Sequence, residues 1–148
     1  MTRARQVITR EDGSDLVEFA LVMIPLFLFV FAIMCVSWFI FAKASLQHAV
    51  REGCRYAVTG QAISDIQDRV LQNAVGVPGM TAKKVQVQYF AQSDTTKPLP
   101  DGPTANAGGN LVTVSVSGIT VNPLGPAGLG FSALTISAAA SDVMESHQ

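Results

Sequence analysis

The sequence predicts an α+β fold, in which a long N-terminal transmembrane helix continues into a head with a second helix and a small antiparallel β-sheet. Two observations predict it. An uncharged apolar run extends from Phe19 to Ala42, and several short segments of the second half alternate apolar with hydroxyl or amide side chains. The first pattern is typical of a membrane-spanning helix, and the second of strands with one buried face.

The apolar run is long enough to cross a bilayer. Its 24 residues from Phe19 to Ala42 would form about 36 Å of helix, against a hydrocarbon core of about 30 Å. A cleaved secretory signal would have a shorter apolar region followed by a small-residue cleavage site, so we expect the helix to be retained. Trp38 suits the far interface. Pro25 is tolerated in a span where neighbouring helices satisfy the freed carbonyl, which favours packing against other helices.

Helical periodicity persists beyond the span, from Lys43 to Thr59. One face is narrow and built mainly of small apolar residues, and the opposite face is polar. Such a face suits close packing by another helix, so we expect the first helix to run to near Gly60. The residues of this face are Leu46, Ala49, Val50, Gly53, Cys54 and Ala57.

A second helix is predicted after Gly60. The segment Ser64 to Gln67 resembles a capping box, and the apolar residues that follow recur at helical spacing. Gly76 and Pro78 are expected to end this helix.

Three strands are predicted from period-two alternation, around residues 85–89, 112–117 and 134–138. We expect them to form a sheet that packs on the second helix. Two segments rich in Gly and Pro, Ala91 to Asn110 and Asn122 to Gly130, are predicted to be loops, the first of them mobile.

Composition excludes several function classes. The formal net charge is −1 and no cluster of Lys and Arg carries interleaved aromatic residues, so nucleic acid is not an expected partner. His48 and His147 are the only histidines, which leaves no metal site or histidine-based triad. The pattern G-x-G-x-x-A at residues 128–133 lacks the strand-then-helix context of a dinucleotide site. We therefore expect that the protein is not an enzyme and that it has no catalytic residue, no cofactor and no metal.

The two cysteines, Cys35 and Cys54, lie 19 positions apart in the predicted helix, or about 28 Å. An intrachain disulfide is excluded at that distance. They are interpreted as packing residues, with an intermolecular bridge through Cys54 as the alternative.

Glu18 is the residue that an ordinary membrane anchor does not explain, because an unpaired carboxylate at the mouth of the span is costly. The residues around it are similar to the class III signal sequences of type IV pilins and pseudopilins. A polar leader ends at Gly13 and is followed by Ser-Asp-Leu-Val-Glu-Phe. Counted from Ser14, Glu18 is the fifth residue, Phe19 the sixth and Pro25 the twelfth.

More narrowly, G-x-x-x-V-E-F-A-L-V with the following proline resembles the TadE-like proteins, pseudopilins (minor pilins) of tight-adherence (Tad) pilus systems. The resemblance continues in A-V-R-E-G-C-R-Y-A-V-T-G, from Ala49 to Gly60, and more loosely in V-T-V-S-V-S-G-I-T-V-N-P-L-G-P. Asp15 departs from the family, which more often has a small apolar residue there.

The resemblance implies cleavage after Gly13 by a prepilin peptidase on the cytoplasmic side of the membrane. It divides the chain into a cytoplasmic leader (1–13), a transmembrane helix (14–42), a membrane-proximal helical extension (43–60) and a small extracytoplasmic α+β head (61–148). The implied protein crosses the inner membrane once and acts in pilus assembly through helix packing. The implied partners are the peptidase, an inner-membrane assembly platform with its ATPase, related pseudopilins, the major pilin and the lipid bilayer.

The resemblance also sets the orientation, because the positive charges do not. Three arginines precede the span, and Lys43, Arg51 and Arg55 follow it, so the positive-inside count is tied.

Cleavage would give Glu18 a chemical role. It creates an α-ammonium at Ser14, about one helical turn before the carboxylate, and the carboxylate of one subunit could neutralise the amine of its neighbour. Pairing of this kind fixes one axial stagger between subunits. One alternative is that Glu18 only snorkels to headgroups. Another is that the chain is a signal-anchored extracytoplasmic binding module that is not processed at Gly13 and binds a ligand through its loops.

Overall fold

A computed structural model describes residues 10–102, 105, 107–122 and 133–145, with side chains from Gly13 onward. It confirms the predicted α+β class: a long N-terminal apolar helix, a second helix and an antiparallel sheet of four strands. In chain order the elements are α1 (Arg10–Ala57), α2 (Ile63–Asn73), a 3-10 turn (Ala82–Lys84), β1 (Val85–Ala91), β2 (Asp94–Leu99), β3 (Leu111–Val121) and β4 (Leu134–Val143).

Helix α1 is continuous over 48 residues and contains Pro25. It ends at Ala57, close to the predicted end near Gly60, and the amides of Val58 and Gly60 still donate to the carbonyls of Cys54 and Ala57. The chain divides into two compact units, one up to Ser37 and one from Trp38 onward.

The N-terminal unit exposes its apolar side chains. Large apolar residues from Leu16 to Val36 are mostly exposed, and the helix is long and apolar enough to cross a membrane. A core helix of a water-soluble domain would instead be buried. One N-terminal apolar helix of this kind suggests a single-pass membrane anchor.

Helix α2 corrects the predicted capping box. It begins at Ile63, with Ala62 as its N-cap, and no side chain caps it. Ser64 already lies inside the first turn, so its hydroxyl donates to the Asp65 carboxylate instead of a backbone amide. The apolar face was predicted correctly, since Ile66 and Val70 are buried. The helix ends at Asn73, before Gly76 and Pro78.

The sheet has the order β2-β1-β3-β4, and all neighbouring strands are antiparallel. Strands β1, β3 and β4 lie where alternation predicted them. The inward residues of β3 are buried, and the alternation shifts at Ser117 and Gly118, where the β3–β4 register slips. Gly118 adopts φ +71° there, a conformation that glycine accommodates without strain.

Strand β2 corrects the prediction that Ala91 to Asn110 is a structureless loop. Residues 94–99 form an edge strand that pairs with β1, and Pro98 lies opposite Phe90 in this pairing. Proline is compatible with an edge strand because no partner needs its missing N–H. The Asp94 carboxylate accepts hydrogen bonds from the hydroxyl and amide of Thr96, and both bonds lower its pKa. The second predicted loop lies outside the described residues from position 123 to its end.

The core of the head lies between the sheet and the two helices. Gln67 of α2 donates to the carbonyl of Val85 at 3.1 Å, which ties α2 to β1. The Cys54 thiol of α1 lies 3.7 Å from the carbonyl of Val112, so the membrane-proximal part of α1 also packs on the sheet. The sheet therefore packs on α2, as expected, and also on the membrane-proximal part of α1.

Candidate functional site

The predicted processing site lies on the first turns of α1. Gly13 and Ser14 are both helical and both exposed. A Cβ placed on Gly13 would meet nothing within 4 Å. The peptide bond after Gly13 is thus accessible from the side, but it lies within a helix.

Glu18 is one helical turn beyond Ser14 and is also exposed. Residues four apart lie on the same face of a helix, so the Ser14 amide and the Glu18 carboxylate occupy one face. Phe19, beside it, is 62% exposed. Asp15 is a second exposed carboxylate on the same turn. These groups are available to another molecule.

The predicted packing residues fall into two groups. Pro25 is exposed on the N-terminal unit. The others, of which Gly53 contacts α2 of the same chain, are buried in the core of the head. They are Leu46, Ala49, Val50, Gly53 and Ala57.

Gly53 marks the crossing of the two helices. A Cβ there would overlap Cγ2 of Val70 and would lie 3.8 Å from the carbonyl oxygen of Ile66. A glycine at this position lets the α2 backbone approach α1 closely.

Arg69 of α2 forms a second link to α1 that the sequence did not indicate. Its guanidinium donates to the Glu52 carboxylate at 3.3 Å and lies 5.8 Å from the centroid of the Tyr56 ring. Glu52 and Tyr56 are four apart on α1, which was a usable signal, but nothing in the sequence pairs them with Arg69.

Both cysteines are free thiols. Cys54 is buried, and burial together with the nearby charge of Asp142 raises its pKa to about 11. A buried thiol with so high a pKa is a poor nucleophile. The position favours the packing role over an intermolecular bridge.

No group of three or more His, Cys, Asp and Glu side chains suited to a metal ion occurs within the described ranges. His48 is exposed on α1. His147 lies outside the described residues, as does most of the glycine pattern at 128–133.

The model of the family described as TadE-like protein matches residues 13–55. This confirms the resemblance predicted from Gly13, Glu18, Phe19 and the following proline, over a segment that is less than half of the chain. That family is structural and non-enzymatic, and it belongs to the Tad pilus systems. No curated protein and no solved structure matched the chain.

Proposed function

From the TadE-like segment at residues 13–55, we propose that this chain is a minor pilin of a Tad pilus system that a prepilin peptidase processes after Gly13. The observation that carries the proposal is the extent of the match. It begins at the glycine of the proposed cleavage site and covers Glu18, the apolar span and the membrane-proximal part of α1.

The proposed topology is a single pass through the inner membrane, with the N-terminus in the cytoplasm and the head outside it. The exposed apolar side chains of the N-terminal unit support the span. The proposed cleavage of the leader on the cytoplasmic side would require this orientation. We propose the boundaries 1–13 for the leader, 14–42 for the span, 43–60 for the helical extension and 61–148 for the head.

Processing requires the first turns of α1 to open. Peptide hydrolysis needs access to the carbonyl between Gly13 and Ser14, which a helical turn occupies with its own hydrogen bonds. Glycine in a helix interior is about 1 kcal/mol less favourable than alanine. Gly13 therefore lowers the cost of unwinding at the bond to be cut.

In the assembled pilus, the exposed Glu18 carboxylate then sets the axial register between neighbouring subunits, which we call registration. Cleavage leaves an ammonium at Ser14, and the carboxylate of a neighbouring subunit neutralises it within the apolar bundle. Removal of one partner from a buried ion pair typically costs about 3–5 kcal/mol, so the paired stagger is strongly favoured.

Subunit packing uses the span in this account. Its large side chains are exposed, whereas the apolar face from Leu46 to Ala57 is buried within the head. Pro25 frees one backbone carbonyl of the span, which a neighbouring helix can satisfy. The proposed partners are the peptidase, the assembly platform and through it the ATPase, related pseudopilins and the major pilin. No catalytic activity is proposed.

The experiment that tests this function compares Glu18→Gln with Asp15→Asn in a strain with a matching Tad system and no wild-type copy. Both variants remove one exposed carboxylate from the same helical segment. We expect Glu18→Gln to be cleaved normally but to reduce subunit cross-linking and surface pili roughly tenfold or more, because about 1.4 kcal/mol already corresponds to a factor of ten. Asp15→Asn should retain both subunit cross-linking and surface pili at the wild-type level. Equal assembly by the two variants would contradict the registration role, and an uncleaved product in both would favour the binding module that is not processed at Gly13.

A further inference from the structure

The segment between α2 and the 3-10 turn is unusually apolar for a surface connection. Residues 74–80 read AVGVPGM, and no charged residue occurs between Arg69 and Lys83. Connections usually run over the surface and carry polar residues. We call residues 74–80 the apolar loop.

Two contacts hold the apolar loop against α1. The hydroxyl of Ser45 donates to the carbonyl of Val75 at 2.7 Å. One turn earlier on α1, the ring of Phe41 lies so close to Gly76 that a Cβ would be 3.0 Å from its Cε1 atom. Gly76 also has φ +75°, which disfavours any other residue. The loop is therefore fixed at the level of Phe41 and Ser45.

That level is the end of the apolar span. Phe41 is the last residue but one of the uncharged run, and Lys43 is the first charge after it. Trp38 pairs with Phe41, with ring centroids 5.9 Å apart. Tryptophan is enriched at the boundary between acyl chains and headgroups.

The apolar side chains at this level are exposed. Val75 is 67% exposed, Phe41 51% and Trp38 45%. Val77, by contrast, is buried in the core of the head and ties the loop to it. Exposed apolar patches of this kind mark sites that meet a partner or a membrane.

We propose that the apolar loop inserts into the headgroup–acyl boundary of the bilayer beside α1 and seats the head on the membrane surface. The occupant is a phospholipid bilayer because the patch is continuous with the span on one helix. Exposed Lys43 and Lys83 flank the patch in sequence and suit anionic headgroups. The inference rests on the membrane-spanning α1 of the proposed function, but not on processing at Gly13.

The test uses the full chain in vesicles of phosphatidylcholine and phosphatidylglycerol. Trp38 is the only tryptophan, so Val75→Trp in a Trp38→Phe background reports on the loop alone. Lys97→Trp in the same background is the matched control, on the exposed edge strand β2. We expect lipids brominated on the upper acyl carbons to quench Val75→Trp nearly as strongly as native Trp38, and to leave Lys97→Trp unquenched.

Each other outcome overturns the inference, and the outcomes are distinguishable. Quenching of native Trp38 without quenching of Val75→Trp would show that the apolar loop does not enter the bilayer. The membrane span of α1 would remain supported. Loss of quenching at Trp38 as well would contradict the membrane span on which the proposed function depends. Blue-shifted Val75→Trp emission that rises with protein density, without quenching by bromine, would assign the loop to a second copy of the chain.

A measurement on the wild-type protein avoids any effect of these substitutions on folding. A phospholipid with a carbene-generating group at the headgroup end of its acyl chain should label residues 74–80 as well as α1. Labelled α1 with an unlabelled apolar loop would overturn the inference.

Discussion

Gly53 of α1 and Val70 of α2 touch so closely that there is no room for a Cβ on the glycine. Val70 is fully buried, and its β-branched side chain has little rotamer freedom in a helix. This contact sets the distance between α1 and α2. It therefore helps to hold α2 and the rest of the head on the membrane-proximal part of α1.

Gly53→Ala is expected to destabilise the head by about 1–2 kcal/mol. The methyl group overpacks a full core, which typically costs about 1–3 kcal/mol, and the better helix propensity of alanine offsets up to about 1 kcal/mol of that cost. The measurement is urea unfolding of the full chain in detergent.

The double variant with Val70→Ala separates overpacking from other effects. If the clash is the cause, Gly53→Ala should cost less in the Val70→Ala background than in the wild type. Gly102→Ala, at a site with open space, should change stability little. Additive effects of the two substitutions would contradict a close contact between Gly53 and Val70.

The raised pKa of the Cys54 thiol predicts that the folded state loses stability at alkaline pH. Its folded pKa is raised from 9.0 to about 11, so the folded state holds the thiol proton more tightly than the unfolded state does. This contribution is fully present below about pH 9 and is lost as the pH rises towards 11. The unfolding midpoint of the wild type should therefore fall across that window more than that of Cys54→Ala.

Cys35→Ala is the matched control for the loss of stability at alkaline pH, because it removes the other thiol and keeps Cys54. It should follow the wild type. If Cys54→Ala and Cys35→Ala show the same pH dependence, the assigned pKa of Cys54 is wrong.

Arg69 is expected to contribute modestly to the joint between α1 and α2. The Arg69–Glu52 pair is partly exposed, with side chains 46% and 34% accessible, so Glu52→Gln should cost less than about 1 kcal/mol and the loss should shrink in salt. Arg69→Ala should cost more, because it also removes the contact with the Tyr56 ring.

Thermal unfolding of these variants at low and high salt measures both effects. Arg55→Ala removes an exposed arginine from the same helix as Glu52 and controls for the change in net charge. A larger loss in Glu52→Gln than in Arg69→Ala would contradict the assigned contacts.

The sequence predicts the helices well because their signals are periodic and local. The buried face from Leu46 to Ala57 follows directly from helical spacing, and so does the pair Ile66 and Val70. The close contact of Gly53 with Val70 does not follow, because it depends on how two distant segments cross.

Two errors in the head have local physical causes. Edge strand β2 was missed because Lys97 and Pro98 are typical of loops, although an edge strand tolerates both. The capping box failed because α2 begins one residue before Ser64. For the candidate site, Gly13 and Glu18 could be singled out from the sequence, but the proposed registration by Glu18 would involve a second subunit and an amine that would exist only after cleavage.

Processing after Gly13 is tested most directly by the N-terminus of the mature protein. The chain is expressed with and without a matching prepilin peptidase, and its intact mass and N-terminal sequence are measured. Gly13→Arg is compared with Gly102→Arg, since both glycines have open space around them. We expect a new terminus at Ser14 that requires the peptidase, is lost in Gly13→Arg and persists in Gly102→Arg. A terminus at Met1 under every condition would contradict processing after Gly13.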